Sequence, residues 1–256
     1  MLISDQSKIL KCPHCGALRY MINVLSGNSM GAVRWSDTKV EAPMMLLSSS
    51  VLRCPACKRY HFYSDSELVG WSEPDRERTC WDCGTLSYQS LKKALAQLQP
   101  SGDNEKMLRM MLIKGYNDWY GGCPGTRQPS EAPAEERAYF EQNARRIIEL
   151  VADDSLEWMV VSAELHRELG EFEQAISLLD RIPKDWFLFS MAEQIRHHAE
   201  QHDCRVFILD TPESQYRRIP AKECEGEICK ETEESIRDRM RIERERVAFD
   251  EDDDLL

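Results

Sequence analysis

The sequence predicts an α+β protein whose strands come first and whose helices follow. Three observations carry this. Cysteines stand in three Cys-x-x-Cys pairs within the first third of the 256 residues: Cys12-Pro-His-Cys15, Cys54-Pro-Ala-Cys57 and Cys80-Trp-Asp-Cys83. Residues 16–63 are rich in β-formers interrupted by turn signals. From Leu86 onward, apolar residues recur at three- and four-residue spacings, the period of helices that bury one face.

Taken in order, Leu18-Arg-Tyr-Met-Ile-Asn-Val-Leu25, Ala32-Val-Arg-Trp35 and Arg59-Tyr-His-Phe-Tyr63 read as strands, with turns at Ser26-Gly-Asn28 and Ser36-Asp-Thr38. The polar run Ser72–Arg78, which contains Pro74, reads as a surface loop. Helices are expected near 86–98, 104–119, 134–151, 155–169, 172–182 and 186–202, paired as three hairpins. Ser130 and either Asp154 or Ser155 are the expected N-caps, and Gly170 and Pro183 the expected stops. Gly121 and Gly122 read as a hinge, and Arg205-Val-Phe-Ile-Leu209 as a last strand. The tail from Ala221 has seven Lys/Arg against fourteen Asp/Glu and ends in an acidic run. It has too little to bury for a core, so a solvated helix over Glu231–Phe249 and then disorder are expected.

Two residues between cysteines let the backbone curl so that both sulfurs reach one tetrahedral ion, with backbone N–H groups softening their charge. No stretch approaches 18 uninterrupted apolar residues, and Met1–Lys8 lacks a signal-peptide core, so the chain is expected to stay in the cytoplasm and away from membranes. In that reducing compartment the paired thiols point to zinc, not to disulfides. Six thiols overfill one four-ligand site and underfill two. Spacing alone prefers Cys54/Cys57 with Cys80/Cys83, which leaves 22 residues between pairs, over Cys12/Cys15 with Cys54/Cys57, which leaves 38. Against spacing, residues 1–63 read as one β unit with a Cys-Pro-x-Cys knuckle at each end, as a rubredoxin-like ribbon requires. For Cys80 and Cys83 the readings include a second metal completed by His61, His14 or Cys123, a site shared among all six thiols, and a redox dithiol. Cys204 reads as a small buried hydrophobe, and Cys224 and Cys229 as exposed bystanders.

Leu156–Pro183 resembles one tetratricopeptide repeat: Ala163 at the helix crossing, Gly170 in the turn, Phe172 and Ala175 packing back, Pro183 as the end. The stretch Ser26–Met44, bracketed by the two Cys-Pro-x-Cys motifs, looks like a group of uncharacterised bacterial proteins that join a zinc-ribbon head to tetratricopeptide-like helices, over roughly residues 10–209. The resemblance implies Cys12, Cys15, Cys54 and Cys57 as the zinc ligands and brings no activity with it; Cys80 and Cys83 depart from its pattern and stay additional candidates on their own Cys-x-x-Cys spacing. The expected organisation is a rubredoxin-like zinc-ribbon head over 1–84, a helical tetratricopeptide-like body over 85–209 and a partly disordered acidic tail over 210–256.

Net charge is −12, yet residues 1–63 carry +5 and the other 193 carry −17. A basic zinc module can hold nucleic acid, or it can rest on its own acidic body. No Lys/Arg cluster interleaved with aromatics appears, which favours the second. Phosphate-binding loops, dinucleotide fingerprints and nucleophile elbows are missing, and no Glu follows His198 as zinc-protease chemistry would need. His197, His198 and His202, and the carboxylates of Glu164, Glu168, Glu171 and Glu173, read as solvated surface; Met107, Met110, Met111 and Trp119 read as core. The expected function is therefore a non-enzymatic zinc-binding adaptor that engages a protein partner through its helices. The alternatives are a nucleic-acid-binding regulator and a thiol redox sensor at Cys80/Cys83.

Overall fold

A computed structural model describes residues 2–42, 45, 49–73, 79–80, 86–121, 131–152 and 155–211, and Met1–Asp210 forms one compact unit. The expected caps Ser130 and Asp154, the glycine Gly122 and the tail from Ala221 lie outside the described residues.

Among the described residues, ten short strands precede six helices. They are β1 (Leu2–Ile3), β2 (Ser7–Lys11), β3 (Leu18–Met21), β4 (Val24–Ser26), β5 (Val33–Arg34), β6 (Val40–Glu41), β7 (Val51–Arg53), β8 (Tyr60–Phe62), β9 (Glu67–Ser72) and β10 (Thr79–Cys80). A four-stranded sheet runs β10-β3-β2-β9, with β10 parallel to β3 and the other pairs antiparallel. The remaining strands form three antiparallel pairs: β1–β4, β5–β6 and β7–β8. Leu18–Leu25 is thus two strands in different sheets, because the chain breaks at Ile22-Asn23 to pair first with β2 and then with β1. The strand over Ser7–Lys11, which the sequence reading passed over, is the one that holds the sheet together.

The helices are α1 (Tyr88–Leu98), α2 (Gly102–Tyr120), α3 (Ala134–Leu150), α4 (Leu156–Glu168), α5 (Phe172–Leu179) and α6 (Phe189–Glu200), and each packs on its sequence neighbours. Ser87 caps α1, its side chain accepting from the Ser90 N–H, and Ser155 stands at the N-cap of α4. The helical core gathers Leu91, Ala94, Leu108, Leu112, Ile113, Phe140, Ala144 and Ile147. Met110 joins it and Met107 and Met111 lie against it, whereas Trp119 is 40% exposed.

The β7–β8 hairpin is the middle layer of the molecule. Strand side chains alternate between faces. Here Val51, Tyr60 and Phe62 enter the helical core, while Leu52 turns to Leu10 and Met21 on the β2–β3 sheet. One hairpin therefore serves two apolar clusters, which explains why Tyr60, His61 and Phe62 are all buried.

A clasp joins the last described segment to the β5–β6 turn. The expected strand over Arg205–Leu209 is only a bridge between Trp35 and Ile208. Around it the Ser36 N–H donates to Phe207 O (2.9 Å) and the Leu209 N–H to Arg34 O (2.8 Å). Gly121 takes part, its carbonyl accepting from the Val206 N–H at 2.9 Å. A Cβ there would stand 2.7 Å from the Asn117 Cα, so glycine is required by close approach.

Beneath the clasp, carboxylates expected on the surface are buried. Glu164 and Glu168 are 1% and 5% exposed. Arg167, fully buried, donates to both Glu164 oxygens (2.6 and 2.8 Å) and to the Asp203 carbonyl, and its guanidinium faces the Phe207 ring. Asn117 Nδ2 donates to Asp37 (3.1 Å) and Glu168 (3.0 Å), and burial pushes both carboxyls upward from the usual range. His198 stacks on Phe207 with ring centroids 3.7 Å apart, and His202 lies beyond α6 at φ +54°.

Candidate metal centre

The two Cys-Pro-x-Cys turns fold alike. In the first, the Cys12 N–H donates to Ala17 O (2.9 Å) and the Gly16 N–H to Cys12 O (3.0 Å). In the second, the Cys54 N–H donates to Arg59 O and the Lys58 N–H to Cys54 O, both at 2.9 Å. Each turn closes with its last residue in the left-handed region, Gly16 at φ +75° and Lys58 at +59°. Glycine adopts that conformation freely, and a side chain does not. Lys58→Gly is therefore expected to stabilise the fold by about 0.5–1 kcal/mol, seen as a higher thermal midpoint. An unchanged or lower midpoint would count against the shared knuckle geometry.

The first turn joins β2 to β3 and the second joins β7 to β8, so the layers that meet at Leu10 and Leu52 also bring the turns together. The sulfurs of Cys12, Cys15, Cys54 and Cys57 all lie within 4.8 Å of one another, with Cys12 to Cys57 at 3.9 Å and Cys15 to Cys54 at 3.7 Å. Four sulfurs about 2.3 Å from one tetrahedral ion would be about 3.8 Å apart along each edge. The fit is close, and the donor set is uniformly soft.

Cys12 and Cys54 are buried (7% and 2% exposed), Cys57 is intermediate and Cys15 is exposed. The His14 N–H donates to Cys12 Sγ at 3.4 Å, the kind of contact that softens thiolate charge. At Cys15 the backbone hydrogen bond from Ala17 favours ionisation. Desolvation and the neighbouring thiols of Cys57, Cys54 and Cys12 oppose it and prevail, pushing the thiol up to about 11. A cation held among the four sulfurs would offset that opposition.

His14 and His61, considered as ligands of a second metal, stand outside this group. His14 turns its Nε2 to the Tyr60 carbonyl (3.1 Å) and meets His61 edge-on, with ring centroids 6.0 Å apart. His61 is buried, and burial first, then the nearby His14, lower its basicity. Of the third pair, Cys80 belongs to β10, which lies beside β3, but its side chain and all of Cys83 and Cys123 lie outside the described residues, as do Cys224 and Cys229. Cys204 is of intermediate exposure and belongs to the clasp region. Antiparallel pairing and the Leu10–Leu52 contact bring the first two pairs together across their longer separation in sequence.

Sequence reasoning also overlooked Gln97. Its side-chain amide accepts from the Tyr60 N–H (3.3 Å) and donates to the Tyr60 carbonyl (3.2 Å), and nothing in its local sequence signals this.

Compared with protein-family models, curated proteins and solved structures, the chain matches none. The four-cysteine cluster thus stands on its own geometry. Among the described residues it is the one group of three or more His, Cys, Asp or Glu side chains close enough to share an ion, and no described helix is long and apolar enough to cross a membrane.

Proposed function

We propose that Cys12, Cys15, Cys54 and Cys57 bind one zinc ion as a structural staple, and that the chain acts without catalysis, as an adaptor whose helical body receives another protein. The observation carrying the metal reading is the convergence of four sulfurs from two equivalent turns to within 4.8 Å. A closed set of four thiolates is the ligand set of structural zinc and leaves no position for a reacting water. Bound zinc would supply the positive charge that lets the thiolates ionise together. Cys12 and Cys15 would hold it from the β2–β3 sheet, and Cys54 and Cys57 from the hairpin seated on the helices.

For the body, the support is the α4–α5 hairpin. Ala163 and Ala175 are fully buried and Gly170 turns between the helices at φ +80°, the packing of one tetratricopeptide-like unit. The charge of the head speaks less for nucleic acid than its sum suggests. Lys11 pairs with Glu67 (3.0 Å), Lys39 pairs with Glu41 (2.9 Å), and a zinc tetrathiolate would add a doubly anionic centre among these cations.

Zinc per purified chain, measured beside Cys54→Ser and Cys80→Ser, tests the reading. One equivalent that Cys54→Ser loses and Cys80→Ser keeps is expected. A zinc-free chain with reduced thiols, or loss in Cys80→Ser, overturns the four-ligand assignment. A pull-down whose recovered proteins do not depend on residues 155–203 sinks the adaptor role.

A further inference from the structure

The Tyr60 carbonyl is a junction. It accepts from His14 Nε2 (3.1 Å), which lies between two of the clustered cysteines, and from Gln97 Nε2 (3.2 Å), in the last turn of α1. Tyr60 pairs with Arg53 on one edge of β8. On its other side Gln97 offers an acceptor to its N–H and a donor to its C=O, the pattern a neighbouring strand would present. The Tyr60 side chain meanwhile enters the helical core. Knuckle, hairpin and helix thus meet at one peptide group, and His14 is tied to the cluster a second time by its N–H to Cys12 Sγ at 3.4 Å.

We infer that His14 and Gln97 are positioning residues of the four-cysteine centre, and that through the Tyr60 peptide they couple metal occupancy to the C-terminal turn of α1. This rests on the metal reading above. A metal that fixes Cys12 and Cys15 fixes the turn carrying His14, and so holds the imidazole on the carbonyl that Gln97 also grips. Coupling of this kind is reciprocal: loosening the α1 side must weaken metal binding, and removing metal must loosen α1. Hydrogen-bonding partners just outside a metal's ligands typically alter its affinity ten- to a hundredfold.

The test titrates Co2+ and Zn2+ into metal-stripped, full-length protein against a chelator, and follows hydrogen exchange at Leu95–Leu98 with and without metal. His14→Ala and Gln97→Ala are each expected to weaken affinity about tenfold. The double variant should lose clearly less than the product of the two, because both act through one carbonyl. Gln97→Glu keeps an acceptor for the Tyr60 N–H but faces the carbonyl with a carboxylate oxygen, so it should bind metal no better than Gln97→Ala. In the unaltered chain metal should slow exchange at the end of α1, and in Gln97→Ala that difference should vanish. Wild-type affinity in Gln97→Ala, or losses that multiply in the double variant, overturn the coupling and leave the metal site standing. An unaltered chain that gives no cobalt–thiolate absorption overturns both.

Discussion

Cys54→Ser is expected to abolish zinc binding and to lower the thermal midpoint by roughly 10 °C or more. Cys54 is the most buried of the four sulfurs' residues, and its knuckle closes the hairpin that sends Val51, Tyr60 and Phe62 into the helical core. Structural zinc in small modules contributes apparent binding energies of about 10–16 kcal/mol. Here the hairpin also has apolar neighbours on both faces, so only part of that is lost as stability. A loss of about 4 kcal/mol, at roughly 2–4 °C per kcal/mol for a chain of this size, gives the stated shift. Scanning calorimetry beside zinc analysis checks it, with Cys204→Ser as the control that should leave metal content unchanged. An unaltered midpoint in a zinc-free Cys54→Ser protein would mean that the staple carries no load.

The second large effect lies away from the metal. Arg167→Ala should cost about 3–5 kcal/mol, because it strands the Glu164 carboxylate in a site where that residue is 1% exposed. It would also remove the donor to the Asp203 carbonyl and the cation facing Phe207, which together seat the clasp. Replacing the pair with apolar residues of similar volume, Arg167→Met with Glu164→Leu, should recover much of the loss, since neither charge is then left alone. Urea unfolding of the three proteins decides the matter. A single variant within about 1 kcal/mol of the original would show that water reaches Glu164 and that its burial is not sealed.

The helices were legible because their signal is local. Each of the six expected segments overlaps its observed helix, five contain it whole, and α2 overruns the expected 104–119 by two residues at its start and one at its end. The two knuckles were legible as motifs, since Cys-Pro-x-Cys states its own geometry. Which knuckles meet was not legible from spacing, because it depends on the Leu10, Met21 and Leu52 contact between elements far apart in sequence. The buried carboxylates went unseen for a related reason. Glu164 and Glu168 sit in a charged run that reads as surface until Arg167, Asn117 and the returning clasp supply partners from elsewhere. Gln97 is the extreme case: a helix-end glutamine whose role exists only because Tyr60 presents an unpaired strand edge beside it.

The clasp sets an order of events during synthesis. Phe207 donates to Ser36 Oγ across 171 positions of chain, so the β5–β6 turn has no clasp partner until nearly all of the described protein has left the ribosome. Closing so long a loop in a disordered chain costs roughly 4–5 kcal/mol. Helices that have already formed shorten the path and remove much of that cost. The turn over Ser36–Thr38 is therefore dressed late, by a segment made after all six described helices.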